Sequence, residues 1–172
     1  YGYFEYLLWM LPALIISLIA QAKVKSTYSK YSKVINRMGL TGAEAARRVL
    51  SAGGVTNVQI TSVGGNLTDH FDPKTNVIRL SESVYDSYSI SAVGVAAHEA
   101  GHAVQHAVGY TPIKIRSAIF PVSSLGSRLS LPLLLIGLLF NFTFLMNLGV
   151  IFFGAALIFQ LVTLPVEFNA SA

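Results

Sequence analysis

Three long apolar runs enclose a middle stretch in which hydrophobic and polar positions alternate on a shorter scale. The first covers residues 4–20 with Glu5 as its only charge, and Tyr1, Tyr3, Tyr6 and Trp9 cluster near its outer end. The other two, residues 131–146 and 148–166, are separated by little more than Asn141 and Asn147. A helical membrane span needs about 17–25 residues, a length the second run reaches when it begins upstream near Ser124. The pattern predicts about three transmembrane helices, one at residues 1–21 and two in a tight hairpin over 124–166. No basic segment precedes the first run and no small-residue cleavage site follows it, which separates it from a signal peptide.

The middle segment, residues 22–123, is long enough for one small domain. Thr41-Gly42-Ala43-Glu44 has the form of a capping box and opens a helix carrying Ala45, Ala46, Val49 and Leu50, closed by Gly53-Gly54. Residues 58–63 alternate as a strand does and end at Gly64-Gly65. A turn through residues 72–76 leads into a second strand, residues 77–80. Ser89 or Ser91 caps a long helix over residues 91–108, stopped by Gly109. The expected fold class is α+β, helices plus a short antiparallel sheet, combined with the membrane helices.

Composition agrees with a chain that meets lipid: 53% of residues are hydrophobic, 12% are charged, and the mean hydropathy is +0.58. All twelve Lys and Arg lie between Lys23 and Arg128. By the positive-inside rule the middle segment is cytoplasmic and the protein a multi-pass one of a cell membrane. The net charge of +4 then suits anionic headgroups of the bilayer rather than nucleic acid. The absence of cysteine agrees with a reducing compartment.

The candidate chemistry sits in His98-Glu99-Ala100-Gly101-His102. Four residues apart on one helical face, both imidazoles can bind a single Zn²⁺, and the glutamate beside them can act as general base. Small apolar neighbours (Ala96, Ala97, Ala100, Ala103, Val104) predict a buried helix. Catalytic zinc takes a third protein ligand. His106 lies about 12 Å along the helix from His98, too far to share its metal, and reads as a partly buried or supporting histidine. Position 108, where an extended motif would place a histidine, is Val. Asp69, His70, Asp72, Glu82 and Asp86 are candidates upstream. Glu167 is favoured on topology, because two crossings return residues 167–172 to the face that carries the histidines, and no basic residue lies near it in sequence. His70 and Tyr85 are candidate oxyanion donors, and residues 77–80 a candidate edge for pairing with an extended substrate.

The combination of Lys23-Val24-Lys25-Ser26-Thr27-Tyr28, Asp69-His70-Phe71-Asp72-Pro73, Ala97-His98-Glu99-Ala100-Gly101-His102-Ala103 and Gln160-Leu161-Val162-Thr163-Leu164-Pro165-Val166-Glu167-Phe168-Asn169-Ala170-Ser171 resembles the YugP-like family of bacterial membrane-embedded neutral zinc metallopeptidases. The resemblance covers essentially the whole chain. It implies a gluzincin-type fold with His98, His102 and Glu167 as zinc ligands and Glu99 as catalytic base. More distantly the chain resembles HtpX-type membrane proteases, in which an acidic residue supports a zinc-bound histidine four positions after the ligand glutamate; Ser171 stands there in this chain. The sequence lacks an initiator Met and ends at Ala172, where family members continue, and so reads as a fragment.

The expected activity is zinc-dependent hydrolysis of peptide bonds in membrane or membrane-proximal polypeptides at the cytoplasmic face of a bacterial plasma membrane, alone or within an oligomer or a membrane protein complex. Two rival readings are a catalytically silent scaffold or adaptor of a protease complex that retains its metal, and a lipid-binding or transport hairpin beside an incidental histidine helix. A structural zinc site would be closed by four protein ligands, and the apolar runs carry almost no ionisable group to form an ion path.

Overall fold

The computed structural model describes residues 2–172, and the side chains of all of these except residues 2–7, 9, 10 and 13. The first expected span therefore falls partly outside the described residues, although its backbone is helical in α1 (Gly2–Tyr31). Two compact units divide the chain between Val104 and Gln105. Most of it is helical, with one small sheet.

The first unit holds α1, α2 (Gly42–Ala52), β1 (Gln59–Val63), β2 (His70–Asp72), β3 (Val77–Ser81), α3 (Glu82–Tyr85) and most of α4 (Ile90–Ala107). The capping box forms as the sequence predicts: Thr41 Oγ1 accepts from the Glu44 N–H at 3.2 Å, and the Glu44 carboxylate accepts from the Thr41 N–H at 2.8 Å. Those bonds from Thr41 hold the Glu44 carboxyl below its ordinary range. At the other end of α2, a Cβ on Gly53 would fall 2.6 Å from Val104 Cγ2. Only glycine permits that approach of α2 to α4, and Gly54, at φ +68°, turns the chain away.

The sheet corrects the antiparallel expectation. Its order is β1-β3-β2, with β2 antiparallel to β3 and β1 parallel to it. The cause is the tightness of the second turn. The Asp72 carboxylate accepts from the Lys74 N–H (2.9 Å), Thr75 Oγ1 (2.7 Å) and Arg79 Nη1 (3.2 Å), locking β2 to one side of β3. β1 is then left with the other side and, two reversals earlier in the chain, runs in the direction of β3. The strand expected at the edge is thus central, and its Ile78 and Leu80 are fully buried. The edges are β1 and β2.

A core forms around β3 from Ala43, Ala46 and Leu50 of α2, Val55, Val84 of α3, and Ala92, Ala96, Ala100 and Ala103 of α4. The alanines recur every three or four residues, so α4 lays one smooth stripe against the core. Burying Ile78 and Leu80 stabilises the unit by roughly 1.5–3 kcal/mol each. The start of α4 is pinned to the chain leaving α1: the Ile90 N–H donates to Val34 O at 2.8 Å and the Asn36 N–H to Tyr88 O at 2.9 Å. Asn36 Nδ2 adds bonds to Tyr88 O (2.6 Å) and Leu40 O (2.7 Å).

The second unit consists of the last turn of α4, then α5 (Thr111–Leu139) and α6 (Thr143–Ala170). Among the described residues these two helices are the ones long and apolar enough to cross a membrane. They pair as a hairpin that reverses at Asn141, in the left-handed region at φ +54°, a conformation asparagine tolerates. Asn147 lies inside α6 instead. Small residues set the helix separation. A Cβ on Gly149 would lie 2.9 Å from Ser130 O, and one on Gly137 would lie 2.7 Å from Met146 Cγ.

Candidate metal centre

The histidine pair is built by α4. Ser89 caps the helix, its Oγ accepting from the Ala92 N–H at 3.2 Å. One turn of helix then separates His98 from His102. Their Nε2 atoms lie 3.1 Å apart, with the rings edge to face at 78° and centroids 4.5 Å apart. Two nitrogens bound to one tetrahedral zinc at about 2.0–2.1 Å stand about 3.3–3.4 Å from each other. The pair therefore fits a shared zinc after a shift of only a few tenths of an ångström. His102 is buried and His98 half-buried.

Glu99 faces β2. Burial pushes its carboxyl above the ordinary value; His102, His98 and the Phe71 backbone N–H pull the other way, and Asp69 adds a further upward push. A carboxylate made more basic by burial, and oriented by a backbone N–H, has the character of a general base.

The upstream acids are engaged elsewhere or lie on the surface. Asp69 accepts from the Ser81 N–H (2.7 Å) and from Ser81 Oγ (3.1 Å). Asp72 closes the turn before β3, where hydrogen bonds from Thr75, Lys74 and Arg79 lower its pKa to about 2. Glu82 and Asp86 are exposed at the two ends of α3. His70 is also exposed, its Nδ1–H donating to Thr68 O at 2.7 Å. Tyr85 packs against the core, and His106 is exposed on the last turn of α4.

Within the second unit, Glu167 stands in the last turn of α6. The absence of a nearby basic residue in sequence is offset in space, because Arg116 of α5 places Nη1 2.9 Å from Glu167 Oε1. Gln105, also buried, donates through Nε2 to Val166 O and to Asn169 Oδ1, each at 2.8 Å. Sequence reasoning missed both Arg116 and Gln105. An amide in an otherwise apolar helix, three positions beyond His102, was a readable signal for Gln105. Arg116 had none, since its role exists only once α5 and α6 pair. Ser171 caps α6 at the surface, its N–H donating to Glu167 O at 3.3 Å.

These features define a class. Residues 6–172 match the family described as "Putative neutral zinc metallopeptidase", and the chain belongs to that family. Zinc is its cofactor, and the donors on α4 have the chemistry and spacing to take it. The chain is 51% identical over 162 residues, 94% of its length and 72% of the relative's, to the Bacillus subtilis (strain 168) protein named "Putative membrane protease YugP". No solved structure matches it.

Proposed function

We propose that this protein is a membrane-embedded zinc endopeptidase of gluzincin type that cleaves membrane or membrane-proximal polypeptides at the cytoplasmic face of a bacterial plasma membrane. The observation that carries the reading is the His98–His102 pair at zinc-binding separation beside a half-buried carboxylate, Glu99. Family membership and the membrane-protease relative support the reaction class. Helices α5 and α6 support two of three spans, with α1 the third. The clustering of every Lys and Arg between Lys23 and Arg128 supports a cytoplasmic domain over residues 22–123, flanked by anchors at 1–21 and 124–166.

The ligand set in this reading is His98, His102 and Glu167, two imidazole nitrogens and a carboxylate oxygen. Its support is topology: two crossings return the chain at Glu167 to the side of the membrane from which it entered the second span. When bound, zinc supplies a Lewis acid and lowers the pKa of a coordinated water to about 7. Glu99 accepts the proton of the attacking water and returns it to the leaving amine. The outer edge of β2, rather than the central β3, is the place for an extended peptide to lie.

Glu99→Gln preserves shape and removes the base. The purified variant is expected to keep zinc while peptide hydrolysis falls by at least about 100-fold. Turnover at the wild-type rate would remove Glu99 from the mechanism. A parent protein that holds zinc but cleaves no polypeptide would favour the scaffold reading.

A further inference from the structure

We infer that Arg116 is a positioning residue for Glu167, fixing which carboxylate oxygen meets the metal; this rests on Glu167 being a zinc ligand, as proposed above. The backbone around Glu167 is already held. Val166 is fully buried with its carbonyl bound by Gln105, and Asn169 accepts from the same amide. The Glu167 side chain itself has three torsions whose setting decides how its carboxylate is presented.

Arg116 acts on that setting. Its Nη1 stands 2.9 Å from Oε1, the length of a charge-assisted N–H···O bond. A guanidinium held on Oε1 would fix the plane of the carboxylate and so which of its oxygens is offered to a metal. Carboxylates that bind metals are themselves hydrogen-bonded, and losing such a partner weakens metal affinity about 10–100-fold. The planar, always-charged fork also matters, because a lysine ammonium would neutralise the carboxylate without fixing its plane. The pair is about one-third exposed on each side, at 32% and 36%, so its removal hardly touches folding. That separates a positioning role from a structural one.

The test is zinc affinity of the full chain in detergent, read by competition with a chromogenic chelator, for wild type, Arg116→Gln, Arg116→Lys and Glu167→Ala. Arg116→Gln is expected to bind zinc about 10–100-fold more weakly, with the thermal unfolding of the zinc-free protein unmoved. Arg116→Lys should recover part of the loss, and it also decides the matter if Arg116→Gln does not fold. Wild-type affinity in the folded Arg116 variants, alongside lost binding in Glu167→Ala, would overturn the inference and leave the ligand assignment standing. Wild-type affinity in Glu167→Ala would overturn both.

Discussion

At the scale of single residues, His98 and His102 do different work despite equal chemistry. His102 is buried and His98 half-buried, so an alanine at 102 also opens a gap beside the core, whereas one at 98 mainly removes a donor. Both His→Ala variants should lose zinc, but His102→Ala should also lower the unfolding midpoint of the zinc-free protein more than His98→Ala. Equal midpoints would show that burial at 102 carries no packing energy. Asp72 gives a pH signature of another kind. Its pKa is lowered from 3.8 to about 2, so the stability it contributes is present above pH about 4 and fades as pH falls toward about 2. Asp72→Asn should be less stable than wild type at neutral pH, and the difference should shrink in acid. A gap constant with pH would mean that the turn does not depend on the charge. The histidine motif was legible in sequence because its spacing is local to one helix. The partners of Asp69 and Glu167 were not, because each forms only after distant segments meet.

At the scale of elements, the capping box of α2 and the helix around the motif could be read ahead of the structure, since caps and helical stripes are written in consecutive residues. The sheet could not. Local alternation marks a strand but says nothing about its neighbours, and β3 takes the centre because the tight turn after Asp72 holds β2 on one of its sides and leaves the other to β1. The prediction that belongs here is energetic. Leu80→Ala, in the central strand, should destabilise the protein by about 2–5 kcal/mol, as buried leucines do. Leu67→Ala, at an exposed loop position, should change stability by less than about 0.5 kcal/mol in the same denaturation series. Similar losses at the two sites would contradict the burial of β3. The position of the hairpin turn was also hidden, because Asn141 and Asn147 look alike in sequence and only pairing through Gly137 and Gly149 selects the first.

At the scale of the whole molecule, the reading depends on which side of the membrane each segment occupies. The chain has no cysteine, so single cysteines can be placed and probed without background. Ser62→Cys in β1, in intact cells, should resist a membrane-impermeant thiol reagent and react once the cells are opened. Asn141→Cys, in the turn between the two proposed spans, should react with the same reagent in intact cells. Labelling of Ser62→Cys in intact cells would reverse the proposed orientation and put the site outside the cytoplasm.

The most direct measurement is the zinc content of the detergent-purified protein, taken by mass spectrometry on wild type and on His98→Ala, His102→Ala and Glu167→Ala after exchange into metal-free buffer. The account requires one zinc per wild-type chain and a large loss in each variant. A wild-type chain that emerges without zinc after exposure to it, or three variants that keep it, would contradict a metal centre built on these residues.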